Sequence, residues 1–128
     1  MAALKQLPDP IAEAFAHQAA ACEALGSALT AAICRLAAQN GLPYGKTQSR
    51  IASWTGDPHG TGTAVALRLT GALHNLVRKG ADDGLTKVYP PNEWTDATLK
   101  AAVFDVIERH DKTISTFLDR PPQTNETG

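Results

Sequence analysis

The stretch DPIAEAFAHQAAACEALGSALTAAICRLAAQNG, residues Asp9–Gly41, decides the fold. Alanine is its commonest residue, and alanine favours helix over strand. Asp9 reads as an N-cap with Pro10 at the first helical position, where a missing N–H costs nothing, and Gly26 closes the helix. Ile11, Phe15, Ala19 and Cys22 fall within about 80° of each other on a wheel of 100° per residue, and Gln18 projects from the same face. A polar side chain there needs a partner. Ser27 caps a second helix carrying Leu29, Ile33 and Leu36, and Gly41 supplies the left-handed residue that ends it. Two helices joined so tightly pack antiparallel.

The pattern continues outward from this hairpin. Leu42 to Gln48 holds Pro43 and Gly45 and reads as a loop, followed by a short helix from Ser49 to Trp54. Thr55 to Gly62 is a turn-rich connection with three glycines. Thr63 to Lys79 is the clearest helix of the middle region, with Val65, Leu69, Ala72, Leu73 and Leu76 on one face and Arg68, Asn75, Arg78 and Lys79 opposite. Asp82 or Asp83 caps one helical turn through Val88, before Pro90 and Pro91 forbid continuation. Thr95 or Asp96 caps the last helix, whose face of Leu99, Val103, Val106, Ile107, His110, Ile114 and Phe117 runs on to Leu118 with a bend near His110. No strand-length alternation appears. The expectation is an all-α fold: a compact bundle of five to six helices with no sheet, residues 1–120 forming one helical domain and 121–128 a polar C-terminal tail.

Composition supports one globular core. Of 128 residues, 43% are hydrophobic and 20% charged, far from the signature of disorder. Twelve basic and thirteen acidic residues are interleaved to a net charge of −1, which leaves no basic face for a row of phosphates, so no nucleic acid is expected as a partner. No run reaches the length of a membrane span and the start lacks a signal-peptide cleavage pattern, which points away from a membrane and toward the cytoplasm. Cys22 and Cys34 form neither a CxxC pair nor a disulfide framework and read as small buried apolar residues. The sequon at Asn125 then meets no glycosylation machinery.

Several constellations invite chemistry and are weighed against plainer roles. Gly41-Leu42-Pro43-Tyr44-Gly45-Lys46-Thr47 resembles the phosphate-cradling GxxxxGK[ST] loop but is one residue short between its glycines and follows a helix instead of a strand. Gly56, Gly60 and Gly62 precede a helix N-terminus, where the plain reading is a flexible connector. His17, His59, His74 and His110 show no metal-ligand spacing, so neither a metal nor a cofactor is expected. His110 on the apolar stripe is the best acid–base candidate, with His74 second, although a core histidine hydrogen-bonded to a carbonyl or to Gln18 is the commoner arrangement. Asp105, Glu108, Arg109, Asp111 and Lys112 around it read as a solvated face with weak ion pairs. Trp54, Tyr89 and Trp94 stand at element ends, where aromatics usually cover the edge of a core.

Taken together, Gln18 with Cys22, Leu25-Gly26-Ser27, Leu67-Arg68-Leu69 with Gly71-Ala72-Leu73-His74, Val88-Tyr89-Pro90-Pro91, and Pro121-Pro122-Gln123-Thr124-Asn125-Glu126 resemble an uncharacterised bacterial family, domain of unknown function 2332. The resemblance runs in order along nearly the whole chain and is most specific in its closing string. It implies the N-terminal portion of a longer protein, whose sequence continues past that string. It also implies that Gln123, Thr124, Asn125 and Glu126 face a pocket completed by the longer protein, as candidate ligand-binding residues. No activity comes with it. The leading expectation is a helical wall of a ligand or domain interface, completed by a missing C-terminal region or a partner protein. The alternatives are part of an enzyme site using His110 or His74 with Glu126 and Asn125, and a freestanding helical interaction module.

Overall fold

The computed structural model describes residues 3–54, 57–59, 64–90 and 92–119. Its elements in chain order are β1 (Leu4–Lys5), α1 (Asp9–Ala24), α2 (Ala28–Asn40), β2 (Leu42–Pro43), α3 (Lys46–Ala52), α4 (Val65–Arg78), α5 (Asp83–Thr86), α6 (Asp96–Arg109) and α7 (Asp111–Leu118). The chain is mainly helical, as its alanine and leucine periodicity requires. Two expectations need correction: among the described residues there are seven helices, not five or six, and a two-stranded antiparallel sheet stands where none was foreseen.

The hairpin at the start forms as its sequence dictates. Ile11, Phe15, Ala19 and Cys22 are all buried, and Gly26 with φ +83° turns the chain out of α1 while Ser27 N–H returns to the Cys22 carbonyl at 2.8 Å. Pro8, not Asp9, occupies the N-cap position, and its carbonyl accepts the N–H groups of Ile11 and Ala12. Gln18 finds its partner four residues on, its amide reaching the Cys22 sulfur at 3.4 Å. On α2 the buried face is Ala31, Ala32, Ile33, Cys34 and Ala37, whereas Leu29 and Leu36 are only half-buried. Small side chains let the two helices approach closely, and the leucines fall to the flanks.

The sheet exists because α2 ends on Gly41. With φ +77° that residue turns the chain so that Leu42 pairs with Lys5 and Pro43 with Leu4. A Cβ at Gly41 would overlap the Lys5 carbonyl, so β1 passes directly over a position only glycine fills. Two-residue strands carry no alternation to read, which is why the ribbon is silent in the sequence.

Helix α4 buries Val65, Leu69, Ala72, Leu73 and Leu76 as expected, but Arg68 does not simply face water. Its guanidinium donates to the carbonyls of Phe117 and Leu118 at 3.2 and 3.3 Å, satisfying two acceptors at the end of α7. Asp82 caps α5 and Thr95 caps α6 through a reciprocal capping box with Thr98. The last long helix breaks at His110, with φ −112° and ψ 26°, giving α6 and α7 separately. Neither proline nor glycine causes the break; it falls where consecutive residues are tied to different neighbours, His110 to Asp82 and Asp111 to the start of α3.

The core sits among α1, α2, α4, α6 and α7, around Phe15, Ile33, Leu69, Leu73, Ile107 and Ile114, and each such side chain contributes about 1.5–3 kcal/mol on leaving water. Trp54, Tyr89 and Trp94 pack half-buried against its edge, as their positions suggest. Cys22 and Cys34 are free and buried. Among the described residues no helix is long and apolar enough to cross a membrane.

Candidate functional site

The loop that resembles a phosphate cradle does hold an anion, and that anion belongs to the chain itself. Asp111 presents one carboxylate oxygen to the N–H of Lys46 and the other to the N–H of Thr47, both at 2.8 Å, and the Thr47 hydroxyl donates to the Asp111 carbonyl at 3.1 Å. Gly45 is needed beneath it, because a Cβ there would lie 2.8 Å from the Asp111 carboxylate. Burial works against ionisation of Asp111, but the two backbone N–H groups and the neighbouring Lys46 charge outweigh it and hold the carboxyl below its ordinary value. The same contact starts α3 at Lys46, three residues earlier than the sequence suggests. Asp111 is therefore a structural clasp between α3 and α7, not a member of a solvated charge face.

His110 has a carboxylate partner too. Its Nε2 donates to Asp82 Oδ2 at 3.1 Å, the same oxygen accepts from Arg109 at 2.6 Å, and Asp82 Oδ1 accepts the Leu85 N–H at 2.9 Å. The Asp82 side chain is 1% exposed. Desolvation opposes its charge, yet the Leu85 N–H, the Arg109 guanidinium and the His110 ring together keep its carboxyl below the ordinary value. Arg109 is also ion-paired to Asp105 at 2.8 Å, so this cluster ties α5 to the end of α6. His74 is exposed on α4 with its ring 6.0 Å from that of Tyr89, which brings together two of the strings that carry the family resemblance. His17 and His59 are exposed and meet edge to face at 5.4 Å. Gln123, Thr124, Asn125 and Glu126 lie outside the described residues, as do Gly56, Gly60 and Gly62. Among the described residues no three His, Cys, Asp or Glu side chains gather as a metal site would require.

Among the described residues, a concave surface lies elsewhere. Along α6, Ala97, Ala101 and the nearly buried Phe104 join Leu4 of β1 in an apolar floor, rimmed by Lys100, Asp105 and Glu108, around a hollow of about 490 Å³. A second hollow of about 310 Å³ continues from it between α6 and α2, lined by Arg35, Gln39, Asn40 and Asp96 and sharing Ala97 and Lys100. The two adjoin along α6 as one trough, mainly apolar at one end and mixed at the other, where Ala32, Leu36 and Leu99 stand among the polar side chains. Among the described residues no carboxylate lies within ion-pairing distance of Lys100, and Arg35 has only Glu23 at 3.2 Å, a pair exposed on both sides. Ribbon and trough are linked: α6 packs on β2, and β1 is the piece that brings Leu4 alongside. Sequence reading missed this site because α6 is followed there only by its buried stripe. The signal that could have found it is Ala97, Ala101 and Phe104 at helical spacing on the other side.

The family model described as an uncharacterized protein conserved in bacteria (DUF2332) matches residues 12–128. The chain belongs to this family. Comparison with curated proteins and with solved structures gives no match. In this DUF2332 chain the matched region takes in α1 from its fourth residue and every later helix, including the Asp111 clasp, the Asp82 cluster and the α6 side of the trough, and leaves Leu4 outside it.

Proposed function

We propose that this DUF2332 chain is a binding unit, the helical N-terminal part of a larger cytoplasmic protein, and that its α6 trough is one wall of a ligand or domain interface. The observation that carries the reading is the trough itself: apolar floor, charged rim and concave shape together are the anatomy of a binding surface. Leu25, Tyr44 and Leu67 are also exposed, but such scattered apolar side chains are ordinary on soluble domains. The titratable clusters favour no competing catalytic reading, because Asp82 and Asp111 are each engaged by several donors from their own fold.

A photo-crosslinking residue placed at Ala101, in cells carrying the native gene, tests this. The expected result is a recurrent adduct from position 101, absent when the same residue is placed at exposed Thr113, on a gene product heavier than this chain. No adduct beyond the Thr113 control removes the wall; a product no heavier than the chain removes the larger protein.

A further inference from the structure

Resting on the reading of the trough as a binding wall, we infer that its occupant is a medium-chain amphiphile with a carboxylate head, its tail lying along Ala97, Ala101 and Phe104 and its head held by Lys100 and Arg35. The trough changes character along its length, and an occupant must change with it. One hollow has an apolar floor, where an alkyl chain is favoured because it leaves water. The adjoining hollow offers Arg35, Gln39 and Asn40, hydrogen-bond donors for which an alkyl chain has no acceptor.

Lys100 stands at the junction, lining both hollows, and among the described residues it makes no ion pair, although Asp96 lines the polar hollow with it. Arg35 is held only by a solvent-exposed pair with Glu23, a weak competitor for an incoming anion. Charge also fixes direction. Glu108 rims the apolar end, beside an Asp105 already paired with Arg109, and repels an anion, so the head belongs at the Lys100 end. Asp96, in the polar hollow, favours a singly charged head over a dianion such as a phosphate monoester. From Lys100 to Glu108 the helix advances about 12 Å at 1.5 Å per residue, the reach of roughly a ten-carbon chain.

A second copy of α6 fits less well. Two concave floors set face to face enclose a void, and atoms lining a void lose their dispersion partners.

The test uses the purified chain titrated with decanoate below its micellar concentration, followed by backbone amide NMR, with decanol and hexanoate as companion probes. Saturable shifts at Ala97, Ala101 and Phe104 are expected with decanoate, and at least tenfold weaker binding of decanol and hexanoate. Lys100→Glu, at an exposed position that leaves the helical spectrum unchanged, lowers decanoate affinity at least tenfold, and Lys100→Arg retains it. Absence of saturable shifts at those three residues overturns the assignment, as does decanol binding as tightly as decanoate or indifference to Lys100→Glu. If decanoate fails while position 101 still gives its adduct, the wall stands and its occupant is a polypeptide; if both fail, both proposals fall.

Discussion

A carboxylate that accepts two backbone N–H groups is worth more folded than unfolded, and Asp111 is such a group. Asp111→Ala removes a cap from α3 and frees α7 from it. The expected loss is about 1–2 kcal/mol in urea denaturation, the range for a lost helix N-cap. Because the folded pKa of Asp111 is depressed, its stabilisation is fully present above the unfolded value near 3.9 and disappears as pH falls through the folded one. Thermal midpoints measured from pH 5 down to pH 3 should therefore fall less in the alanine variant than in the parent, and equal slopes would assign the linkage to Asp82 alone. At this scale local roles were legible: Asp82 and Thr95 cap helices that begin within three residues of them, and both can be read from their neighbours. Asp111 could not be, since the N–H groups it serves lie 64 and 65 residues earlier and its own surroundings carry both signs of charge.

Elements meet most tightly where α2 gives way to β2. Gly26 and Gly41 both have left-handed backbones, but a Cβ at Gly26 meets nothing within 4 Å, whereas one at Gly41 runs into the Lys5 backbone. Gly26→Ala should cost about 1 kcal/mol from backbone strain alone. Gly41→Ala should cost at least about 1 kcal/mol more and detach β1, seen as faster amide exchange at Tyr44, whose N–H bonds to the Ala3 carbonyl. Equal losses for the two would mean that the ribbon is not held at Gly41. The helices with long apolar faces, α1 and α4, were readable because a repeat of 3.6 residues survives over four turns. The ribbon was not, because it has too few residues to show a period, and the separation of α6 from α7 was legible only as a bend near His110, because the apolar stripe continues through the break, with Leu99, Val106, Ile107 and Ile114 all buried.

Across the whole molecule, the packing of α1 on α2 seals both thiols. Burial first, and then the neighbouring Cys22, push the Cys34 thiol up to about 12, so the nucleophilic thiolate is scarce in the folded state. A thiol reagent at pH 8 should label Cys34 only as fast as the hairpin opens, and added urea should raise that rate in step with unfolding; rapid labelling of the native protein would mean that α1 and α2 part without global unfolding. The core of the bundle followed from apolar periodicity, but the trough depends on a strand remote in sequence lying beside α6, a juxtaposition no periodicity encodes. The Asp111 clasp has a further consequence, for the order in which the chain acquires its shape. Helix α3 is only seven residues long, too short to persist alone, and the group that initiates it is made 65 residues after Lys46. On the ribosome this segment must wait, unstructured, until the start of α7 has emerged, so the middle of the protein is among the last parts to be completed.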